Sequence, residues 1–452
     1  MPTPARQVAF TILLRVETQA SYATELLHGP LTADLSEQDA ALSTELVLGT
    51  LRRQATLDFI AQQFTPRKWA SLDPEVRVAL RLGFYQLRFL TRIPPRAAVH
   101  ETVELVKLSG KRSAAGLVNA ILRKGAEVEL ASLRSSSISD SAWAAIETSH
   151  PAWLLARWER RYGREAALSL ARANNQPPAT CLRLNLQSNN FSVIESQLRT
   201  EGVALCPGKF LRDCREVSQG NITRAEAYRR GTIVTQDEAS QIIPYLLDVH
   251  EGQSVLDLCA APGNKTAQLA QRTGPSGQVI AGDLHWHRLR AMPSLPPDSR
   301  VWKVALDGCR PLPFRECFDR ILVDAPCSGT GTLRRHPEIK WRLKPSDLAD
   351  LSQKQARLLD GAAAALQPGG RMVYSTCSLE KEENQDVIER FLEAHTEFCL
   401  RPLREDASRL QAFFLPSATW SLEKDFLGTF PDRDGTDGFF AAILVKSMEE
   451  PR

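Results

Sequence analysis

The sequence feature that most constrains the fold is the stretch SVLDLCAAPGNKTAQLAQ, residues 254–271. Its apolar start breaks into a turn of small residues that ends at Pro262 and Gly263, and the residues from Lys265 onward are spaced like a helix. A strand, a tight turn and a helix in this order are typical of the first unit of a nucleotide-binding α/β sheet. Small side chains let the backbone approach a ligand, and a helix N-terminus presents unpaired N–H groups to it. The turn therefore fits an adenosyl cofactor, although such turns also occur as plain connections in α/β domains.

The same turn counts against two other nucleotide sites. It lacks the GxxxxGK[ST] pattern of a P-loop and the GxGxxG spacing that a pyrophosphate requires. A P-loop enzyme is therefore disfavoured, and a dehydrogenase is only a weak alternative.

Composition places the chain among globular proteins with more than one domain. Its 452 residues are 43% hydrophobic, which is enough for two or three cores. No apolar run has the length of a membrane span, and the N-terminus lacks a basic-then-apolar signal pattern, so we expect a cytoplasmic protein without a membrane partner. The net charge of +3 permits a nucleic-acid partner without requiring one.

The nine cysteines are an odd number, scattered along the chain without a CxxC pair. Disulfide frameworks and zinc sites both predict closer or paired spacing. We therefore expect reduced thiols, predict no metal site, and regard individual cysteines as candidate nucleophiles.

The first part of the chain has the spacing of an all-helical bundle. Between residues 5 and 124 apolar positions recur mostly at steps of three and four. The serine-rich residues 133–141 are typical of a linker. The alternating segment 181–185 then predicts a small α/β module that ends near Val234. In that module Arg183 either contacts a phosphate or caps a sheet edge.

The remainder of the chain alternates strands and helices, as in a mostly parallel sheet with right-handed crossovers. Asp237 and Ser240 stand at the start of a helix and are interpreted as caps. A late strand at 439–446 is predicted to lie antiparallel at one edge of the sheet. The other predicted strands span residues 254–258, 278–283, 301–306, 320–324 and 370–375.

Two acidic residues follow predicted strands. Asp283 ends its strand about twenty residues after the first turn, where α/β nucleotide sites place a carboxylate against ribose hydroxyls. Asp307, after the next strand, is placed to meet the adenine amino group. Helix capping is the alternative role for either carboxylate.

Two cysteines occupy polar turns at predicted strand ends. The segment RILVDAPCSGTG, residues 320–331, puts Asp324 and Cys327 after one strand, and YSTCS, residues 374–378, puts Cys377 after another. Because the carboxyl ends of parallel strands meet at one edge of a sheet, both thiols should open into the same crevice. Buried cysteines are usually inert, but two of them in hydroxyl-rich turns favour chemistry over packing.

At this point several motifs resemble a known family. LDLCAAPGNKT at 256–266, DAPCSGTG at 324–331 with RRHPEIKW shortly after it, and YSTCSLEKEEN at 374–384 are similar to motifs of RNA cytosine-5 methyltransferases. The helical region, including residues 98–124, resembles the NusB-like RNA-binding domain. From residue 5 to residue 446 the chain is similar to the bacterial Sun/Fmu (RsmB) type of this family.

The resemblance implies a multidomain fold and a cofactor. It implies a NusB-like all-helical RNA-binding domain at 1–134, a linker with helices and a small α/β RNA-recognition module at 135–236, and a Rossmann-like class I methyltransferase domain at 237–452. The cofactor would be S-adenosylmethionine. The residues that the resemblance assigns to cofactor binding are Cys259, Ala260, Ala261, Pro262, Gly263, Asn264, Lys265, Asp283, Arg288, Asp307 and Asp324.

The resemblance also implies a mechanism. Cys377 is carried over as the nucleophile that adds to carbon 6 of cytosine, which turns carbon 5 into an enamine carbon able to accept a methyl group. Cys327 is carried over as the residue needed to remove the carbon 5 proton before the product is released. Asp324 lies between these roles and is assigned to the cofactor, with a catalytic role left open.

Two positions depart from the family pattern. Asn264 stands where the family commonly has glycine, and because asparagine tolerates left-handed backbone angles, we expect cofactor binding to be retained. Leu306 stands where a small residue is more usual, which weakens the assignment of Asp307.

By resemblance the substrate is 16S ribosomal RNA, free or in a partly assembled small subunit, and the target base must be unstacked to expose carbon 6. A monomer is favoured. Transfer RNA as substrate and a non-catalytic RNA-binding or antitermination factor remain the alternatives. Phosphate contacts are predicted for the basic loop residues, with a solvated loop as the other interpretation. These residues are Arg334, Arg335, His336, Lys340 and Arg342.

Overall fold

The computed structural model describes residues 1–184, 191–292 and 300–448, apart from the side chains of residues 191 and 420. The chain forms two compact units of unequal length. The first comprises Met1–Pro177 with Thr332–Leu343, and the second comprises Pro178–Gly331 with Lys344–Arg452. The predicted domain boundaries at 134 and 236 stay predictions. No helix in the described part of the chain is long and apolar enough to cross a membrane.

The first unit is a helical bundle, as the apolar spacing predicts. Its helices begin where the sequence supplies start signals: Ser36 accepts a hydrogen bond from the N–H of Asp39, and prolines stand at the first position of three helices. The apolar faces of the helices between residues 4 and 125 share one core around Leu80 and Phe84. The helices are α1 (Pro4–Gln19), α2 (Ala23–Leu27), α3 (Glu37–Arg52), α4 (Gln54–Phe64), α5 (Pro74–Phe89), α6 (Pro95–Leu108), α7 (Ala115–Gly125), α8 (Asp140–Glu147), α9 (Ala152–Tyr162), α10 (Arg164–Ala173) and, from the later segment, α16 (Ile339–Arg342).

Residues 332–343, which follow the Cys327 turn in sequence, are packed into this helical unit. Lys340 is buried, and its Nζ donates to the carbonyl oxygens of Arg52 and Ser149 at 2.9 Å each and to Asn175 Oδ1 at 3.1 Å. Trp341 Nε1 donates to the Leu51 carbonyl at 2.8 Å. A side chain held in this way cannot reach a phosphate, so the prediction that Lys340 binds RNA is wrong.

The neighbouring basic residues of this segment are also engaged within the helical unit. Arg334 is buried, and its carbonyl oxygen accepts two hydrogen bonds from the Arg52 guanidinium. Arg342 donates to the carbonyl of Ser21 and lies over the ring of Tyr22. Lys340 and Arg334 are therefore neither solvated nor exposed to a phosphate, and the phosphate contacts predicted for Arg335, His336 and Arg342 stay predictions.

The second unit begins with a small antiparallel sheet. Its strands are β1 (Cys181–Leu184), β2 (Ala204–Pro207), β3 (Cys214–Gln219) and β4 (Ile233–Thr235), in the order β2-β3-β1-β4. The helices α11 (Phe191–Thr200) and α12 (Glu226–Arg229) belong to the same part of the chain. The small α/β module is thus present, and residue 185 of the predicted strand lies outside the described residues.

A larger, mostly parallel sheet follows. Its strands are β5 (Ser254–Asp257), β6 (Gln278–Asp283), β7 (Val301–Ala305), β8 (Phe318–Asp324), β9 (Leu366–Thr376), β10 (Phe398–Arg401), β11 (Leu427–Gly428) and β12 (Phe440–Lys446). The order is β10-β12-β9-β8-β5-β6-β7, and β11 pairs with β12. The remaining helices are α13 (Glu238–Leu246), α14 (Asn264–Thr273), α15 (Trp286–Arg290), α17 (Pro345–Ala365), α18 (Gln385–Ala394), α19 (Ala407–Leu410) and α20 (Pro431–Asp434).

The strand order positions the site and corrects one prediction. Strand β5 lies between β6 on one side and β8 on the other, so the chain reverses its direction of winding there, and α/β sheets bind ligands at such points. Strand β12 is antiparallel to β9, as predicted, but it is not an edge strand. The short strand β10, which the sequence did not reveal, pairs with its other side and occupies the edge.

Candidate functional site

A cavity of about 100 Å³ lies at the carboxyl end of β5. The small-residue turn forms one wall, and Asp257, Asp324 and Ser240 complete the lining. The structure thus brings together eight of the residues predicted to hold a cofactor. These are Cys259, Ala260, Ala261, Pro262, Gly263, Asn264, Lys265 and Asp324.

The turn owes its shape to one glycine. Gly263 has a φ of +105°, a conformation that L side chains rarely adopt, and it caps helix α14. Asn264 is the first residue of that helix, so its backbone is not left-handed. The expectation that Asn264 relies on a tolerance for left-handed angles is therefore wrong, because the left-handed angle is at Gly263.

Two carboxylates face the cavity, and they differ in their ion-pair and hydrogen-bond partners. Asp324 is paired with Lys265 Nζ at 2.7 Å and accepts a hydrogen bond from Ser375 Oγ at 2.7 Å. Asp257 accepts one hydrogen bond, from Thr266 Oγ1 at 2.7 Å, while its Oδ1 is buried without a partner among the described residues. Burial raises the pKa of Asp257 to about 7.

The other predicted cofactor residues lie outside the cavity lining. Asp283, at the end of β6, accepts hydrogen bonds from the N–H of His285 at 2.9 Å and of Ala261 at 3.3 Å. Arg288 pairs with Asp283 at 3.4 Å and donates to the Ala261 carbonyl at 3.2 Å, so both residues brace the turn. Asp307 accepts from the N–H two residues later and pairs with an exposed arginine.

The two predicted catalytic thiols meet. Cys327 follows β8, Cys377 follows β9, and their Sγ atoms are 3.2 Å apart. The contact with Cys377 and burial raise the pKa of the Cys327 thiol well above its usual range. Either sulfur can be the donor in this contact. Asp324, which faces the cavity, stands three residues before Cys327.

Arg183 neither caps a sheet edge nor lies in solvent. It is buried, with Nε donating to Gln236 Oε1 at 2.8 Å and Nη2 donating to the Asn264 carbonyl at 3.3 Å. Gln236 continues the network to Gln268 on α14 at 3.0 Å. The small module is thereby joined to the first turn of the helix that follows the cavity. Neither residue pattern nor spacing marked this contact in the sequence.

Three further residues were missed as site residues. Asp257 lines the cavity, and its signal was a carboxylate that interrupts the apolar run of Val255, Leu256 and Leu258 at the end of β5. Ser240 also lines it, whereas Asp237 is a helix cap as predicted, accepting from the N–H of Ala239 at 2.9 Å. Glu383 is fully buried beside the two cysteine turns, and nothing in its local sequence distinguishes it from the neighbouring glutamates.

Together with this fold, three family matches define a multidomain methyltransferase. The NusB family model matches residues 3–127. A model described as an RsmF/B-like methyltransferase, ferredoxin-like domain, matches residues 150–221, and one described as 16S rRNA methyltransferase RsmB/F matches residues 244–445. The predicted fold class is confirmed: a NusB-like helical domain, a small α/β module and a methyltransferase domain.

Similar proteins identify the family. A probable ribosomal RNA small subunit methyltransferase B from Bacillus subtilis is 34% identical over 98% of this chain and 99% of its own length. The crystal structure of PH0851 covers 99% of this chain and 100% of that chain with a TM-score of 0.81 at 24% identity, which supports the fold alone. A methyltransferase homolog from Pyrococcus horikoshii covers 69% of this chain and 100% of its own at 27% identity, with a TM-score of 0.55. The chain belongs to the RsmB/F family of methyltransferases.

Proposed function

We propose that this protein forms 5-methylcytosine in 16S ribosomal RNA, with S-adenosylmethionine as methyl donor. The observation that carries the proposal is the 3.2 Å approach of Cys327 and Cys377 at the same sheet edge as the cavity. Two sulfurs this close can both reach one pyrimidine ring, one to add to carbon 6 and one to assist at carbon 5.

The residues of the cavity fit the amino-acid end of such a cofactor. The unpartnered Oδ1 of Asp257 can accept a hydrogen bond from an ammonium group, and the backbone of the turn before α14 offers N–H groups to a carboxylate. Asp283, one strand away, is the candidate for the ribose hydroxyls. The cofactor would supply an electrophilic methyl group.

The two thiols have separate tasks in this proposal. The Cys377 thiolate adds to carbon 6 of cytosine, and carbon 5 then takes the methyl group that the cofactor would supply, as the methyl–sulfur bond of the donor breaks and leaves a neutral thioether. Removal of the carbon 5 proton, with Cys327 as base or through a water that it orients, lets the carbon 6–sulfur bond break and frees the enzyme.

The proposed substrate follows from the relatives rather than from the cavity. The curated relative is named for the small-subunit ribosomal RNA, and the helical unit matches the NusB family. The base must be unstacked to expose carbon 6. The proposed location is the cytoplasm, where ribosomal RNA and its partly assembled particles would be available.

The test is transfer of a labelled methyl group to 16S ribosomal RNA, followed by bisulfite sequencing of RNA from cells with and without the gene. We expect one or a few cytosines to lose protection when the gene is deleted. Cys377→Ala should abolish transfer, whereas Cys399→Ala, which changes an exposed cysteine of the same unit, should leave it unchanged. Loss of 5-methylcytosine from transfer RNA alone would replace the ribosomal substrate, and full turnover by Cys377→Ala would refute the nucleophile.

A further inference from the structure

One buried carboxylate lies between the two cysteine turns. Glu383 is in a short 3₁₀ turn after β9 and is fully buried. Its Oε1 accepts from the N–H of Ser328 at 2.8 Å and from Gln355 Nε2 at 3.0 Å. Its Oε2 accepts from the hydroxyls of Ser328 and Ser378. A carboxylate is tolerated in the interior only with such partners.

Two of these partners directly follow the thiols in sequence. Ser328 comes after Cys327, and Ser378 comes after Cys377. The two serine hydroxyls are also 3.0 Å from each other. The carboxylate of Glu383 therefore bonds the residue next to each sulfur, although the two turns are 50 residues apart in the chain.

The same group is held from a third side. Gln355, on α17, donates from one amide nitrogen both to Glu383 and to the carbonyl oxygen of Pro326 at 3.0 Å. Because Pro326 precedes Cys327 and Ser328 follows it, Cys327 is held on both sides by one network. Apart from this network, the N–H of Gly331 donates to the Cys377 carbonyl at 2.9 Å.

We propose that Glu383 is the positioning residue that sets the spacing of the Cys327 and Cys377 sulfurs. It does not bond either sulfur; it fixes the two turns through the serines that follow them. The importance of this spacing for catalysis rests on the proposed function, because only a reaction that uses both sulfurs on one base requires it. A displacement of about 1 Å at such a site can lower the rate by about a hundredfold.

The test measures the spacing itself, without RNA or cofactor. Diamide oxidises two neighbouring thiols to a disulfide and takes up the two hydrogen atoms they lose, so the rate at which Cys327 and Cys377 become linked reports how often their sulfurs meet. Peptide mapping by mass spectrometry identifies this pair among the nine cysteines. The variants are Glu383→Asp, which is one methylene too short to reach both serines, and Glu383→Gln, which keeps the length.

We expect Glu383→Asp to slow formation of this disulfide by about tenfold or more, and to lower kcat for RNA methylation by at least as much with KM for the cofactor unchanged. Glu383→Gln should show a smaller effect on both, because an amide can still bond to both hydroxyls. Glu382→Gln, in the same 3₁₀ turn, is the matched control and should behave like the wild type. Cofactor binding by each variant checks that the domain is folded.

A wild-type rate of disulfide formation in Glu383→Asp would overturn the proposal, and so would a loss of methylation that is carried entirely by KM. The two proposals fail separately. If the wild-type protein methylates no RNA but Glu383→Asp still slows the disulfide, the proposed function is wrong and the role of Glu383 in spacing the sulfurs stands.

Discussion

Replacing Asp257 by asparagine tests the electrostatics of the cavity. Burial raises the pKa of this carboxyl from its ordinary value near 4 to about 7. A folded-state pKa above the unfolded one means that the folded protein holds the proton more tightly. The wild type therefore loses stability as pH rises from about 4 to about 7, and the loss is complete above pH 7.

The size of the effect follows from the same pKa. A rise of about three pKa units means that the folded protein binds the proton about a thousandfold more tightly than the unfolded chain does. At pH 8 this corresponds to about 4 kcal/mol of lost folding stability. The asparagine retains an oxygen for the Thr266 hydroxyl but brings a buried N–H group, which costs about 1–3 kcal/mol if it finds no partner. We expect Asp257→Asn to be more stable than the wild type at pH 8 by about 1–3 kcal/mol, and to lose this advantage at pH 4, where the wild-type carboxyl is protonated.

The assay is urea unfolding of cofactor-free protein between pH 4 and pH 8, with Asp350→Asn as an exposed control. Calorimetric titration of S-adenosylmethionine at pH 8 completes it, because removal of the proposed acceptor for the ammonium group should weaken binding by about tenfold or more. An Asp257→Asn protein whose stability follows the same pH curve as the wild type would refute the reasoning about burial. Unchanged cofactor affinity would remove Asp257 from the site.

Lys340→Met should lower the stability of the helical unit by about 3 kcal/mol or more, because three buried acceptors lose their donor. Thermal unfolding checks this, with Lys354→Met as the control at an exposed lysine. A loss of stability no larger than that of the control would contradict the prediction. Cys327→Ala should accumulate a covalent protein–RNA adduct visible on a denaturing gel, and release of free product at the wild-type rate would exclude Cys327 from proton removal. Arg183→Lys should raise the Kd for S-adenosylmethionine about tenfold, because a single ammonium nitrogen does not reproduce the two separated guanidinium donors that bond Gln236 and the Asn264 carbonyl. An unchanged Kd in calorimetry would separate this network from the cofactor turn.

The strands of the large sheet could be predicted because each central strand is a short apolar run that ends in a polar turn. That pattern placed β5, β6 and β8 to within two residues and the end of β9 to within one residue. The ends of β8 and β9 bring Cys327 and Cys377 together. Strand β10 was missed because four residues are too few to show a period. Its pairing with β12 is a long-range contact, and it is this contact that moves β12 away from the edge.

The parts of the site that escaped prediction depend on contacts between distant residues. Arg183 looked like any arginine on a strand, and only the fold brings it to Asn264, 81 residues later. Lys340 and its basic neighbours looked like a phosphate site because their charges are visible in the local sequence. Their burial depends on which distant residues pack over them, and this is not visible there. Asp257 could have been found, since a carboxylate inside an apolar strand needs a partner or a ligand.

The packing of residues 332–343 into the helical unit also has a consequence for how the chain is made. The carbonyl oxygens of Leu51 and Arg52 accept hydrogen bonds from Trp341 and Lys340, which are translated about 290 residues later. The bundle can be completed only after the ribosome has synthesised most of the other unit. A truncated polypeptide that stops at residue 177 should therefore lack the segment that completes the bundle. If the gene is divided at this point, each of the two fragments should fold less stably than the full chain.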